Sequence, residues 1–297
     1  MTRSFSDTVT LHTGGEIPGF GFGAGGLKGR EALDAVTSAL LDGYRLIDSG
    51  QRYGNEREIG LAVAQSGIPR SEITLSTKWC APLQPSPSEL EKLVIPEVEE
   101  IVRGLRESVI KLNNGKDVDQ GGYIDLVLLH HSGPTPAWRE QGWKALSQAK
   151  DEGWVRNIGV SNFGIKQLES LPGHVPVLVQ LELNPWIQQR QVVKYCQDKG
   201  IVVQAYCPTA RYQADRIGHP TVIKLAEKYN KPSGHILLRW SIQKDLIPLP
   251  RSSKEERIHA NRCIFDFQLD DEEMAALDSL DMGSKGRQTP IDPDNLP

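Results

Sequence analysis

Four cysteines in 297 residues, Cys80, Cys196, Cys207 and Cys263, are few and scattered. They form no C-x-x-C pair and have no neighbouring ligand spacing, which excludes a zinc-ribbon or disulfide framework and predicts four reduced thiols and no metal site. Excess charge is also lacking. With 34 basic and 38 acidic residues the net charge is -4, which offers no electrostatic case for nucleic acid and points to a small-molecule partner. No stretch approaches the ~18 consecutive apolar residues of a membrane span. The opening MTRSFSDTVTLHTGGE has no apolar core followed by a small-residue cleavage site, so the expected compartment is the cytosol, with no membrane partner. No Pro/Ser-rich linker divides the chain, and no early phosphate-binding glycine turn follows the first strand.

What the chain does contain is alternation. Short β-rich runs occur at Gly19 to Gly23, Arg45 to Asp48, Ile73 to Lys78, Ile124 to His130, Val155 to Val160, Val179 to Glu182, Val202 to Ala205 and Leu246 to Leu249. Between them, Arg30 to Leu41, Glu56 to Gln65, Glu97 to Lys111, Trp138 to Glu152, Arg190 to Lys199 and Thr221 to Asn230 carry apolar residues at a spacing near 3.6. Eight strands each followed by helical sequence predict one (β/α)₈ barrel over residues 1–297, with an N-terminal β-hairpin around Gly14-Gly15 plugging its floor. Ala81 to Ser88 and Asn113 to Gly122 read as loops, on the catalytic and the opposite face respectively. Oligomeric state is not legible.

Barrels of this kind place their chemistry where strands end. The expected strand ends carry Asp48, Lys78, His130 and His131, Ser161 and Asn162, Gln180 and Glu182, and Tyr206, with Tyr53 on a loop of the same face. A tyrosine is a poor acid near neutrality unless a cation favours its phenolate; Lys78 can supply that cation, and Asp48 can balance it. An imidazole at 130 can hold a carbonyl near the phenol. Each residue taken alone also reads as a structural ion pair or core group. Adjacent strand residues face opposite sides, so at most one of His130 and His131 points along the barrel axis. Cys80 and Cys207, without an evident base, read as packing residues.

Several segments resemble the aldo-keto reductase family. DSGQRYGNEREIG from Asp48, LSTKW around Lys78, IDLVLLHH around His130, VRNIGVSNF from Val155, QLELNP from Gln180, AYCP from Ala205 and LPRSSKEERIHAN from Leu249 match its motifs in order over nearly the whole chain. The resemblance implies reduction of an aldehyde or ketone by NADPH, with Tyr53 as general acid, Lys78 and Asp48 lowering its effective pKa, and His130 orienting the carbonyl. It further implies that Ser161, Asn162 and Gln180 hold the nicotinamide carboxamide and Tyr206 stacks on its ring. Arg251, Ser252 and Arg257 would bind phosphate and Asn261 the adenine. Taken by itself, Ser253 can cap a helix that begins near Lys254, and a helix start flanked by cations suits phosphate; without the resemblance, the stretch from Arg251 also reads as a solvated charged helix.

Phe22, Gly25, Trp79 and His131, with Trp186, are the expected pocket residues. Gly25 and His131 depart from the family's usual Trp and Trp or Ser, and Ala260 stands where an acidic residue is common. The tail from Met282 to Pro297 is expected to be a loop over the pocket. A second reading is a cofactor-binding regulatory barrel resembling a potassium-channel auxiliary subunit, which the complete set Asp48, Tyr53, Lys78 and His130 argues against. A third is an aldolase with Lys78 as Schiff base.

Overall fold

The structure is a computed structural model that describes residues 4–82, 86–90, 92–293 and 296. Two short strands, β1 (Thr8–Thr10) and β2 (Glu16–Pro18), pair antiparallel with Val9 opposite Ile17. The chain then runs β3 (Phe22–Gly23), α1 (Gly29–Leu41), β4 (Leu46–Asp48), α2 (Glu56–Gln65), β5 (Thr74–Trp79), α3 (Pro87–Leu90), α4 (Val98–Leu112), β6 (Ile124–Leu129) and α5 (Pro136–Asp151). It continues through β7 (Val155–Ser161), α6 (Ile165–Glu169), β8 (Leu178–Glu182), α7 (Arg190–Asp198), β9 (Val202–Tyr206), α8 (Ala214–Ile217), α9 (Pro220–Tyr229) and α10 (Ser233–Gln243). It closes with β10 (Ile247–Leu249), α11 (Glu255–Arg262) and α12 (Asp271–Asp278).

Strands β3 to β10 lie side by side in chain order, all parallel. The seam is closed by backbone bonds from Gly21 N to the Pro248 carbonyl at 3.1 Å and from Gly23 N to the Pro250 carbonyl at 3.0 Å. Only glycine fits at the first of these: a Cβ on Gly21 would stand 2.6 Å from a Leu249 methyl and 2.7 Å from Leu46 Cγ. The expected eight-stranded barrel is therefore present, with each expected strand shifted by a few residues at most at either end.

Period-2 alternation sorts the strand residues into two cores. Leu46, Leu126, Leu128, Leu178, Ile247 and Leu249 point inward and meet Leu11 and Ile17 of the hairpin, which thereby seals the barrel floor. Outward residues such as Ile47, Leu75, Val127 and Val179 meet the helices, for example Ala32, Val36, Ala39 and Leu40 of α1, whose spacing makes one apolar stripe. Fixing the floor with leucines leaves the polar strand-end residues to gather at the other mouth. The four cysteines are free thiols. Among the described residues no group of three or more His, Cys, Asp or Glu could hold a metal ion, and no helix is long and apolar enough to cross a membrane.

Candidate active site

Asp48 ends β4 and Lys78 is the penultimate residue of β5, and both face inward because each lies two residues beyond an inward neighbour. Lys78 Nζ donates to Asp48 Oδ2 at 2.6 Å and to the Ser49 carbonyl, with Lys78 0% and Asp48 5% exposed. Ser76, two residues before Lys78 on the same face, donates to Asp48 Oδ1 at 2.7 Å, and Gln180 Nε2 donates to the same oxygen at 3.0 Å from β8, across the barrel. A buried carboxylate with three described hydrogen bonds, one of them from a cation, is well compensated. Burial pulls the Lys78 ammonium below its ordinary value and Asp48 opposes that pull.

Tyr53 ends a single 3₁₀ turn, Gln51–Tyr53, after β4. Its hydroxyl lies 3.3 Å from His130 Nε2, with the two rings edge to face at 5.5 Å. Lys78 Nζ is 5.2 Å from the Tyr53 ring centroid and sends its hydrogen bonds to Asp48 and Ser49. The resemblance implied a lowered phenol; here burial pushes the Tyr53 hydroxyl above its ordinary value, and the Asp48 carboxylate adds to that rise. Burial, followed by Lys78, His131 and Arg52, holds His130 well below the usual imidazole range, so its ring is neutral. His130 Nδ1 has no hydrogen-bond partner among the described residues.

The pair His130 and His131 resolves as alternation requires. His131 Nε2–H donates to the Ala81 carbonyl at 3.0 Å and its Nδ1 accepts from Gly133 N at 3.1 Å. With both nitrogens bound to backbone and 3% exposure, His131 is a structural clamp on the loop after β5 rather than a pocket residue. Phe22 also leaves the expected pocket: it is 1% exposed and packs edge-on against Tyr44 in the outer core, because Gly21 and Gly23 take the inward positions of β3. Trp186 is 3% exposed and lies in the same core beneath Arg216. Trp79, the residue after Lys78, faces outward and stacks on Trp138 at 6.3 Å.

Gly25 does stand at the site. A Cβ there would meet the Tyr53 ring at 3.5 Å, and Asn55 Nδ2 holds this loop in place through the Ala24 and Leu27 carbonyls at 2.8 and 3.0 Å. The absence of a side chain at 25 opens the space above the phenol.

Toward β7 to β10 the expected cofactor residues adjoin the same mouth. Asn162, in a left-handed conformation at φ 57°, donates to the His130 carbonyl at 3.0 Å and to Ser161 Oγ at 3.1 Å. Its Oδ1 accepts from the Tyr206 hydroxyl at 2.7 Å. Gln180 donates through its NH₂ to Asp48 Oδ1 and to Gln204 Oε1, both at 3.0 Å. Ser253 does not cap the next helix: α11 starts at Glu255 with Lys254 at its N-cap and no side-chain cap, and Ser252 Oγ accepts from Lys254 N at 3.0 Å in the turn before it. Arg251 and Arg257 are exposed and make no ion pair among the described residues, while Asn261 is 4% exposed on the inner side of α11.

The tail supplies contacts that strand-end reasoning missed. Glu182, 0% exposed at the end of β8, accepts from Gln288 N at 2.8 Å and from Thr289 N and Oγ1 at 3.1 and 2.6 Å. Thr289 Oγ1 also lies 3.1 Å from the Tyr206 hydroxyl, so this part of the tail is strapped across the mouth; Gly283–Gly286 forms a 3₁₀ turn, and residues 294, 295 and 297 of the expected loop lie outside the described residues. Of the Ala81 to Ser88 loop, residues 83–85 lie outside the described residues.

The family model described as Aldo/keto reductase family matches residues 19–282. The uncharacterized oxidoreductase YtbE of Bacillus subtilis (strain 168) is 34% identical over 305 aligned positions, covering 100% of this chain and 99% of that protein. Among solved structures, an aldo-keto reductase from a Medee basin deep-sea metagenome library superposes with a TM-score of 0.84 at 32% identity, covering 97% of this chain and 99% of its own. A Bombyx mori aldo-keto reductase, solved in complex with NADP, gives 0.81 at 32% identity over 99% of both chains. With the strand-end cluster in place and likeness at this identity running from end to end, the chain belongs to the aldo/keto reductase family.

Proposed function

We propose that the protein reduces an aldehyde or ketone to an alcohol with NADPH, and that Tyr53 is the general acid. The observation that carries this reading is the Tyr53 hydroxyl 3.3 Å from the neutral His130 Nε2, above a Lys78–Asp48 pair buried at 2.6 Å. A phenol held above its ordinary pKa keeps its proton at neutral pH, which is the state a proton donor needs. His130 with its proton on Nε2 donates a second hydrogen bond to the same carbonyl oxygen and fixes it beside the phenol. As the proton leaves, the Lys78 ammonium near the ring stabilises the phenolate, and Asp48 keeps the resting cavity close to electrically neutral.

The residues fit the cofactor. Arg251 and Arg257 are two exposed guanidinium groups without carboxylate partners among the described residues, a donor set suited to phosphate. Tyr206 has its hydroxyl fixed by Asn162 and Thr289, which holds its ring face steady for a planar group. Ser161, Asn162 and the Gln180 oxygen would hold the carboxamide, and Ser252 and Asn261 would complete the adenosine side. When bound, NADPH supplies the hydride that reaches the carbonyl carbon. An aldolase reading is disfavoured because Lys78 is fully buried and committed to two hydrogen bonds. Loss of NADPH absorbance across a panel of aldehydes, ketones and sugars tests the proposal; oxidation of NADPH with no compound class would overturn it.

A further inference from the structure

Glu182 is the last residue of β8 and Tyr206 the last of β9, and the two are register partners, so their side chains leave neighbouring strands toward the same mouth. The Glu182 carboxylate is 0% exposed, and each of its described hydrogen bonds comes from the tail: from Gln288 N at 2.8 Å, Thr289 N at 3.1 Å and Thr289 Oγ1 at 2.6 Å. A buried carboxylate stripped of its donors is costly, so this contact seats the tail at residue 289. Thr289 then reaches onward to Tyr206, whose hydroxyl lies 3.1 Å from its Oγ1.

A hydroxyl has one proton to give, and here its direction is fixed at each step. The His130 carbonyl can only accept, so the Asn162 atom 3.0 Å from it is Nδ2, and Oδ1 faces Tyr206 as an acceptor. The Tyr206 hydroxyl therefore donates to Asn162 at 2.7 Å. The Glu182 carboxylate draws the Thr289 proton, so Thr289 meets the Tyr206 hydroxyl with a lone pair. The Tyr206 proton thus lies in a fork with a short arm to Asn162 and a long arm to Thr289. Both prongs are themselves tied, Asn162 to the His130 carbonyl and Ser161 Oγ, and Thr289 to Glu182. A ring pinned at its hydroxyl from two sides cannot swing about either one.

From the chain Glu182–Thr289–Tyr206–Asn162 we infer that Thr289, seated by Glu182, is a positioning residue: it acts through the Tyr206 hydroxyl to hold that ring ready for the nicotinamide end of the cofactor. Seating the tail and building the cofactor face are then one event. The inference rests on the cofactor reading above and adds to it a tail residue that acts through another side chain. A side chain ordered before binding spares the ligand the ordering of it, which is worth on the order of two- to tenfold in affinity.

Two titrations test it, one with NADPH by fluorescence and one by calorimetry with adenosine 2′,5′-bisphosphate, which carries the adenosine and its 2′-phosphate but no nicotinamide. They are run on wild type, Thr289→Val, Thr289→Ser, Tyr206→Phe and the double variant of Thr289→Val with Tyr206→Phe. Thr289→Val should raise the Kd for NADPH about three- to tenfold and leave that for the bisphosphate within about twofold. Thr289→Ser should restore NADPH affinity. Tyr206→Phe should weaken NADPH at least as much as Thr289→Val, and adding Thr289→Val to it should cost nothing more, because the tether is already broken. An unchanged NADPH Kd in Thr289→Val, equal losses for both ligands, or a Thr289→Ser variant as weak as Thr289→Val would overturn the inference. Additive losses in the double variant would do the same, as would failure of Thr289→Val to fold by circular dichroism, since the hydroxyl would then be holding the fold rather than the ring. All of these leave the reductase reading standing, because wild type still binds NADPH. A wild type that does not bind NADPH would overturn both.

Discussion

Removal of the Tyr53 hydroxyl is the smallest change that separates chemistry from folding. Its described hydrogen bond, with His130 Nε2 at 3.3 Å, is long, so Tyr53→Phe should cost less than about 1 kcal/mol of stability. In a chain of this size that shifts Tm by no more than roughly 2–4 °C. General acid catalysis contributes about 10²- to 10⁴-fold, which corresponds to roughly 3–5.5 kcal/mol in the barrier. The kinetic effect therefore exceeds the structural one several-fold. Lys78→Met is a poorer probe, because it strands Asp48 in the barrel interior at a cost of about 3–5 kcal/mol and confounds the two. kcat at saturating NADPH, thermal unfolding by circular dichroism and NADPH affinity by fluorescence titration would be compared in wild type and Tyr53→Phe. A variant with unchanged Tm and cofactor affinity but near-wild-type turnover would refute the assignment of Tyr53 as the acid. Because the phenol is held above its ordinary value, wild-type reduction should also be insensitive to pH across neutrality; a loss of kcat on passing from pH 6 to pH 8 that Tyr53→Phe abolishes would contradict that placement.

His130→Ala should suppress turnover with little change in Tm, whereas His131→Ala, which orphans the Ala81 carbonyl and Gly133 N, should lower Tm and spare turnover; the opposite pattern in paired melts and kinetics would reverse their roles. Gly25→Trp should penalise bulky ketones more than small aldehydes, since its side chain begins in contact with the Tyr53 ring, and equal losses in kcat/KM for both sizes would place residue 25 outside the pocket. NADPH should be preferred to NADH by at least about tenfold in kcat/KM, from charge-assisted bonds at Arg251 and Arg257, and Arg257→Ala should reduce that ratio; an unchanged ratio would locate the phosphate elsewhere. Burial holds His235 down at about 4 and His130 well below its usual range, so the unfolded chain takes up protons first. The stability they contribute is present above about pH 6.5 and is lost as pH falls toward 4, and His235→Leu should flatten part of that decline in Tm; an equally steep decline in the variant would exonerate His235.

Much of the fold was legible because a strand buried on both faces reads as an apolar run and its helix as a 3.6-residue stripe. Helix α2 was expected over the residues it occupies. Helix α10 was not expected at all: nine of its eleven residues are buried, including His235 and Arg239, so it presents no polar face and no period. Helix α12 failed for the converse reason, with only Glu273 and Leu277 buried. At the site, Asp48 and Lys78 followed from strand ends, while alternation left His130 and His131 open and the resemblance selected His130. Phe22 did not follow, since β3 is two residues long and the inward positions beside it are glycines, which carry no side chain for a pattern to register. The grip of Glu182 on Thr289, 107 residues away, has no local signal in either segment.

The hydrogen bond from Gln180 to Asp48 has a wider bearing. The proposed proton-handling groups come from β4, β5 and β6 and the loops beyond them, and the proposed cofactor groups from β7 to β10 and α11, so on this reading the circle of strands is divided by task. Gln180 reaches across the axis from the second group to the first, and its other donor ties it to Gln204. A ligand that engages the Gln180 oxygen thus pulls on the same side chain that steadies the carboxylate under Lys78. Asn162, which donates to the His130 carbonyl, makes a second such tie, so two amides join the halves of the circle and a change on one side is felt on the other.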